Sequence, residues 1–229
     1  MSNRDFTPQN FGLKKGYLYE VIATTFLMDG LSIRPNAACM GIRLLEDNRI
    51  SINPYPTTIT FRNLKRHSQI LINFVDDIHL YALAALKGEN PHIEFTSKYY
   101  GFIDIIGSAS QIPYIKKAWG YLLCEVDEEV QKIKQDALGE VVMTEFRLKV
   151  IQSEKLKDSF SLYNRAENLA LESIIIATRI RIAKGSNNDE LYETLMLQLQ
   201  SNIENIRRFS KNNRAIKAIN LVRKYVDSL

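Results

Sequence analysis

The period of the hydrophobic pattern changes once along this chain of 229 residues, close to Asp158. Before that point apolar and polar residues alternate over long spans, as in "GYLLCEVDEEVQKIK" and "EVVMTEFRLKVIQ". A period of two is typical of strands with one buried face. After that point apolar residues recur every three to four positions, which is the period of a helix. The pattern therefore predicts an α+β fold, with the strands first and a helical part after them.

The β-rich part, residues 1–157, contains six or seven candidate strands. Tyr17–Leu27 and the segment "NAACMGIRLL" are expected to form a hairpin with a loop of moderate length at "MDG", and Gly139 supplies the turn of a second hairpin. "QILINFV" is expected to be a strand buried on both faces. Short helices are predicted at "TTITFRNLKRHS" and Asp76–Gly88. This number of strands with short helical insertions favours a closed barrel over an open sheet.

The last part, residues 158–229, is expected to form a subdomain of three amphipathic helices. Asn164 stands three residues before Glu167, a spacing typical of a helix cap. The two helices that follow each carry one apolar stripe, made of Leu191, Leu195, Leu199, Ile203 and Ile206 in the first and of Ile216, Ile219, Val222 and Val226 in the second.

The composition excludes several functional classes. A formal net charge of +4 is mild, fits a phosphorylated small molecule and makes a nucleic-acid partner unlikely. Cys39 and Cys124 lack the Cys-x-x-Cys spacing, and the three histidines are scattered, so no metal site is expected. No signal peptide and no long apolar run is present, which predicts a cytoplasmic protein without a membrane segment. The common catalytic motifs are absent.

Three segments carry a resemblance to a known family: "ATTFLMDG…PNAACMGIRL", "PYPTTITFRNLKRHSQILINFVDD" and "LYNRAENLALESIIIATR". They resemble an uncharacterised, mostly archaeal family within the FMN-binding split-barrel, flavin-reductase-like superfamily. The resemblance implies a split β-barrel of the flavin-reductase-like type with a C-terminal helical subdomain. It also implies a homodimer that holds FMN in a groove beside the barrel, near the subunit interface.

The residues themselves suit such a ligand. A flat isoalloxazine ring needs a surface of small side chains that lets backbone groups approach closely, and Asn36, Ala37, Ala38 and Gly41 provide one. A phosphate needs several hydrogen-bond donors, which hydroxyl side chains at the start of a helix supply. The candidate ligand contacts from the strands and the first helix are Thr24, Thr25, Asn36, Ala37, Ala38, Cys39, Met40, Thr57, Thr58, Thr60 and Asn63. Positive charge is available at Arg62, Lys65 or Arg66.

Each of these residues also has a purely structural interpretation. Thr24 and Thr25 suit a strand by β propensity alone, and Ala37 and Ala38 suit close packing. The threonines from Thr57 to Thr60 suit a helix cap as well as a phosphate. Cys39 and Met40 are typical core residues. Both interpretations stay open at the level of sequence.

The predicted helix that begins near Asn164 carries charged residues on an otherwise apolar segment. Glu172 could pair internally with Arg165 or Arg179, since charges near an apolar surface are costly unless paired or exposed. Alternatively, Arg165 or Arg179 reaches the flavin phosphate or covers the ring.

Two functions follow from this interpretation. The first is a flavin-dependent oxidoreductase that takes hydride from NADH or NADPH, with the redox chemistry supplied by the flavin. The second is a non-catalytic module that stores or senses flavin and binds a partner through its helical appendage. No residue is identified as a catalytic acid or base.

Overall fold

The computed structural model describes residues 6–30, 32–88, 93–104, 111–136, 139–158, 165–209 and 213–229. Its strands are β1 (Leu18–Asp29), β2 (Ser32–Leu44), β3 (Ile50–Ile52), β4 (Gln69–Phe74), β5 (Tyr100–Asp104), β6 (Gln111–Ile115), β7 (Gly120–Asp136) and β8 (Gly139–Lys155). Its helices are α1 (Ile59–His67), α2 (Ile78–Leu86), α3 (Arg165–Gly185), α4 (Asp189–Phe209) and α5 (Asn213–Asp227).

The chain divides into two compact units. The barrel unit contains Met1–Asp76, Thr96–Lys134 and Glu140–Ser159, and the helical unit contains Asp77–Phe95, Gln135–Gly139 and Phe160–Leu229. α2 therefore groups with the three C-terminal helices and not with the strands that flank it in sequence. The predicted domains 1–157 and 158–229 stay a prediction about which parts fold independently.

Six strands of the barrel unit form a closed barrel in the order β1-β2-β3-β8-β7-β4. The predicted α+β fold with a closed barrel is thus confirmed. β1 and β2 pair along their whole length, from Leu18 opposite Arg43 to Asp29 opposite Ser32. The turn between them is shorter than predicted, and Gly30 has a φ of 60° there, as tight hairpin turns require.

β2 closes the barrel only through its last residues, and we call the gap beside the rest of this strand the split. This strand pairs with β3 only from Ile42 to Leu44. Within the described ranges, the segment from Ser32 to Gly41 has β1 as its strand partner on one side and no strand on the other.

Alternate residues of the barrel strands form the main core. This cluster is apolar and includes Val21, Ala23, Ile42, Leu44, Ile50, Ile52, Ile70, Ile72, Phe74, Leu122, Cys124, Phe146 and Leu148. Burying one large apolar side chain stabilises a fold by about 1.5–3 kcal/mol. The alternation of apolar and polar residues in the sequence therefore indicates which side of each strand faces the barrel interior.

β4 contributes to cores on both of its faces, as predicted. Ile70 and Ile72 lie in the barrel cluster, whereas Leu71 packs in a second cluster with Phe26, Ile112, Tyr121 and Leu123. Ile112 belongs to β6, which pairs with β5 in a separate two-stranded sheet. We call this pair, Tyr100–Asp104 and Gln111–Ile115, the β5–β6 ribbon.

α1 begins directly after a turn that contains Pro54 and Pro56. Thr58 caps the helix, because its hydroxyl accepts a hydrogen bond from the amide of Phe61 at 3.2 Å. The buried residues of α1 are Thr60, Asn63 and Leu64, at the i, i+3 and i+4 spacing of one helix face. This face carries two polar residues among its three members, and both contribute to the site described below.

The helical unit contains four described helices. α3 packs on α4 and α5, and α2 packs on α3 and α5. The predicted stripe of α4 is buried at Leu195, Leu199, Ile203 and Ile206. The predicted cap at Asn164 lies outside the described residues. Among the described helices, none combines the length and the apolar character that crossing a membrane requires.

Candidate functional site

Four of the predicted ligand residues come together where β1, β2 and α1 meet. Thr25 and Asn36 are directly opposite each other in the β1–β2 pair. The amide nitrogen of Asn36 donates to the hydroxyls of Thr25 at 3.4 Å and of Thr60 at 3.2 Å, and the amide nitrogen of Asn63 donates to Thr25 at 3.1 Å. We call Thr25, Asn36, Thr60 and Asn63 the polar cluster.

The polar cluster is mostly buried. Thr25, Thr60 and Asn63 are each no more than 4% exposed, while Asn36 is half-buried. Buried polar groups are costly unless hydrogen-bonded, and the cluster meets this requirement through its own contacts. Asn36 is therefore the member with a surface that a ligand can reach.

Near the start of α1, three threonines that the sequence could not distinguish differ in their contacts and exposure. Thr58 caps the helix and also donates to the carbonyl of Tyr55 at 2.7 Å. Thr60 belongs to the polar cluster, whereas Thr57 is exposed one residue before the cap. The exposed hydroxyl of Thr57 thus lies beside a helix N-terminus, where backbone amides favour an anion.

The basic residues of α1 differ in their surroundings. Lys65 forms an ion pair with Glu129 at 2.7 Å. Arg62 and Arg66 are exposed. Any cationic contact from α1 to an anion at its N-terminus is therefore better supplied by Arg62, which lies nearer that end of the helix.

Thr24 does not join the polar cluster, although it precedes Thr25. Its hydroxyl donates to the carbonyl of Pro113 in β6 at 2.6 Å and accepts from the amide nitrogen of Asn73 at 3.2 Å. Successive residues of a strand point to opposite faces of the sheet, so Thr24 and Thr25 form hydrogen bonds with different residues. Thr24 is fully buried in its own set of contacts.

The small residues of β2 lie along the split. Ala37 is fully buried, while Ala38, Cys39 and Met40 are half-buried. Met40 packs against the barrel core. A Cβ atom on Gly41 would lie 2.9 Å from the Cδ1 atom of Leu18, so a side chain of the neighbouring strand approaches this glycine. Ala38 thus offers the small accessible surface that the sequence predicts for this segment.

Sequence reasoning missed two residues next to the site. Asn73 interrupts the apolar run of β4 and is fully buried, with its amide nitrogen bonded to the carbonyl of Ile22 at 2.8 Å. A polar residue within "QILINFV" is a signal that could have identified it. The phenol of Tyr100 is hydrogen-bonded to the backbone of Ala37, and no sequence signal indicates that contact.

Burial raises the pKa of Tyr100, and the hydrogen bond from Ala37 offsets part of that rise. Tyr100 stays neutral at ordinary pH.

The predicted contact from Arg165 belongs to the helical unit. Arg165 is the first residue of α3 and is exposed, as are Glu172 and Arg179. Within the described residues Glu172 forms no ion pair, so the internal pairing considered for it does not occur. The described residues contain no group of three or more histidine, cysteine, aspartate or glutamate side chains arranged to hold a metal.

Comparison with known proteins identifies one family model and several solved structures that are similar to this chain. A family model described as "Protein of unknown function (DUF447) N-terminal domain" matches residues 19–157. An FMN-bound protein from Methanosarcina mazei, assigned to the same family, is 18% identical, and the alignment covers 96% of this chain and 100% of that chain with a TM-score of 0.70. The two proteins thus share a fold.

Two further structures are more distant. A flavin reductase complexed with NADP+ is 15% identical, with 67% of this chain and 88% of that chain covered at a TM-score of 0.45. The flavoredoxin of Desulfovibrio vulgaris is 14% identical, with 63% and 74% covered at a TM-score of 0.44. No curated protein matches the sequence.

Proposed function

The chain belongs to the DUF447 family, and on that premise we propose that it is an FMN-binding flavoprotein. The observation that carries the proposal is the fold shared, over 96% of this chain, with a family member whose structure contains FMN. The accessible residues around the split of the barrel supply the second line of support.

We assign the isoalloxazine ring to the surface of β2 from Asn36 to Met40. Ala38 leaves room for a flat ring, and Asn36 offers a carboxamide whose position is fixed by Thr25 and Thr60. Pre-positioned hydrogen-bonding groups favour a ligand because less ordering is needed on binding. In this arrangement Thr25, Thr60 and Asn63 hold Asn36 in place and do not touch the ring.

We assign the phosphate to the N-terminus of α1. The exposed hydroxyl of Thr57 and the first backbone amides of the helix are donors of the kind that bind phosphate. Arg62 adds positive charge on the first turn and can bind a phosphate with two parallel hydrogen bonds. A contact of Arg165 with the flavin, one of the alternatives that the sequence leaves open, stays a prediction.

The proposed activity is that of an oxidoreductase that uses NADH or NADPH. Bound FMN would supply the redox chemistry by accepting hydride. The protein would hold the ring, exclude water from its β2 side and direct hydrogen-bond donors toward the ring edge that becomes negative on reduction. We further propose a cytoplasmic homodimer with FMN near the subunit interface.

One experiment identifies the cofactor. The purified protein is denatured, and the released flavin is identified by chromatography; the protein freed of flavin is then titrated with FMN. We expect FMN and not FAD, bound at one per chain. Asn36→Ala should weaken FMN binding up to about tenfold, the equivalent of one hydrogen bond of about 1.4 kcal/mol. Asn53→Ala, a change at an exposed asparagine outside the site, is the matched control.

A second experiment separates the oxidoreductase from a non-catalytic flavin store or sensor. NADH or NADPH is added to the FMN complex without oxygen, and the flavin absorbance is followed. Rapid bleaching supports the oxidoreductase. An unchanged spectrum, with FMN still bound, would favour the storage or sensing function instead.

A further inference from the structure

The half-buried carboxamide of Asn36 has one of its two ends occupied. Its amide nitrogen lies 3.2 Å from the hydroxyl oxygen of Thr60 and 3.4 Å from that of Thr25, and it donates to both. A carboxamide nitrogen carries two N–H donors, so these two hydroxyls engage both of them. The side-chain oxygen of Asn36 accepts no hydrogen bond from any described residue. The end of Asn36 that is left for a ligand is therefore a hydrogen-bond acceptor.

Asn63 completes the set of contacts that fixes this orientation. Its amide nitrogen donates to the same Thr25 hydroxyl at 3.1 Å, and a hydroxyl oxygen has two lone pairs, so Thr25 can accept from both asparagines. Reversing the Asn36 carboxamide would withdraw its N–H groups from Thr25 and Thr60. Asn63 is only 4% exposed. Within the polar cluster, the oxygen of Asn36 is thus the acceptor that a ligand can reach.

The face of β2 that carries Asn36 changes in polarity along the strand. Asn36, Ala38 and Met40 share this face because alternate residues of a strand point the same way, and each lies roughly 6.5 Å from the next. Asn36 is polar, and Ala38 is small and half-buried. Met40 is apolar and packs against the barrel core. The face is therefore polar at one end, open in the middle and apolar at the other end.

An isoalloxazine ring has the same order of polarity along its length. Its pyrimidine end carries two carbonyl oxygens and an N–H group at N3, whereas its other end is a dimethyl-substituted benzene ring. In the oxidised ring N3–H is the sole hydrogen-bond donor, since the remaining polar atoms are acceptors. A protein acceptor such as the Asn36 oxygen can pair only with a donor. The chemistry of the ring and the polarity of the face thus agree on one orientation.

We propose that Asn36 determines specificity for the flavin ring: its side-chain oxygen binds N3–H, with the pyrimidine end at the polar cluster and the dimethylbenzene end toward Met40. The inference rests on the proposed FMN site and deepens it. A ring without a donor at N3 would cover the Asn36 oxygen and leave it unpaired. An unpaired polar group in a closed site costs binding free energy, so the site rejects flavins that are substituted at N3.

FMN with a methyl group on N3 tests the proposal, because it keeps the phosphate, the ribityl chain and every ring acceptor and loses only the donor. Calorimetric titrations with FMN and with N3-methyl-FMN are made on three flavin-free proteins: the unaltered chain, Asn36→Ala and Asn53→Ala. Asn36→Ala removes the acceptor and leaves room for the methyl group. Asn53→Ala is the matched control, since Asn53 is an exposed asparagine outside the site.

We expect the unaltered protein to bind FMN at least about tenfold more tightly than N3-methyl-FMN. Asn36→Ala should bind the two flavins with affinities equal within about twofold, because the group that distinguishes them is gone. Asn53→Ala should keep the whole preference of the unaltered protein. The comparison of two ligands on one protein makes the result independent of any general loss of affinity in a variant.

Two results would overturn the proposal. Equal affinities of the unaltered protein for both flavins would show that Asn36 does not meet N3–H, as when a ribityl hydroxyl meets it instead. A preference for FMN that survives in Asn36→Ala would assign the discrimination to another residue. Either result leaves FMN binding itself standing. An unaltered protein that binds neither flavin would instead contradict the proposed function, and the specificity of Asn36 with it.

Discussion

At the scale of single residues, the polar cluster is the feature on which the site depends. Three of its members are buried, Asn36 is half-exposed, and hydrogen bonds connect all four. A buried hydroxyl that accepts two amide hydrogen bonds, as Thr25 does, cannot be replaced by an apolar group without leaving both donors unsatisfied. Thr25 is therefore a support for Asn36.

Thr25→Val is expected to lower the free energy of unfolding of the flavin-free protein by about 1–3 kcal/mol, because two amide donors lose their acceptor. Thr57→Val, at an exposed position, should change it by less than about 0.5 kcal/mol. Urea denaturation of both variants measures the difference. Equal stability of the two variants would show that the cluster is not hydrogen-bonded as described.

Glu145 makes the stability of the barrel unit depend on pH. Burial of this carboxyl acts to raise its pKa, but hydrogen bonds from Lys132 and Arg147 outweigh burial and hold the pKa below its ordinary value of 4.5. A depressed pKa in the folded state stabilises the fold above the unfolded pKa, and this contribution is lost as pH falls through the folded value.

Glu145→Gln should therefore be less stable than the unaltered protein near neutral pH, and the difference should shrink as pH falls below about 4.5. Thermal unfolding from pH 3 to pH 7 follows this difference. Asp158→Asn serves as the comparison: a hydrogen bond from Lys155 also lowers the pKa of Asp158, but this carboxyl is fully exposed, where an ion pair contributes little to stability, so its pH-dependent difference should be smaller. A gap that stays constant with pH would contradict the ionic role of Glu145.

Adjacent residues also show where sequence reasoning reaches its limit. Thr24 and Thr25 have the same side chain and neighbouring positions, so both are predicted to touch the ligand. They face opposite sides of β1, and only the registers with β2 and β4 decide which neighbours each one meets. That information is held by residues far away along the chain, which is also why the contact of Tyr100 with Ala37 could not be predicted.

At the scale of elements, α1 forms one wall of the site. The turn with two prolines and the Thr58 cap fix where the helix begins, and both could be identified from the sequence. The sequence left the roles of the individual threonines open. In the structure Thr58 caps the helix, Thr60 belongs to the polar cluster and Thr57 is exposed.

Two alanine variants separate the cap from the proposed phosphate contact. Thr58→Ala should lower the free energy of unfolding of the flavin-free protein by about 0.5–2 kcal/mol, the usual cost of losing a helix cap. Thr57→Ala should leave that stability unchanged and weaken FMN binding. Chemical denaturation and FMN titration are measured on both. If Thr57→Ala binds FMN as tightly as the unaltered protein, the phosphate does not contact this hydroxyl.

At the scale of the whole molecule, the hydrophobic period predicted the order of strands and helices because each element buries a face of its own. The barrel closure followed from the number of strands. The grouping of α2 with the C-terminal helices could not be predicted from the sequence. α2 is apolar on nearly every side, so its sequence indicates no preferred neighbour. The hydrophobic period identifies helices and strands, but contacts between residues distant in sequence determine which of them pack together.

We propose that this chain binds a phosphorylated flavin through β2 and the start of α1. Calorimetric titration of the flavin-free protein with FMN, and separately with riboflavin, tests it directly, because the two ligands differ only by the phosphate. We expect one FMN bound per chain and a markedly weaker affinity for riboflavin. Equal affinities for the two would place the phosphate away from α1, and a protein that binds neither would contradict the claim altogether.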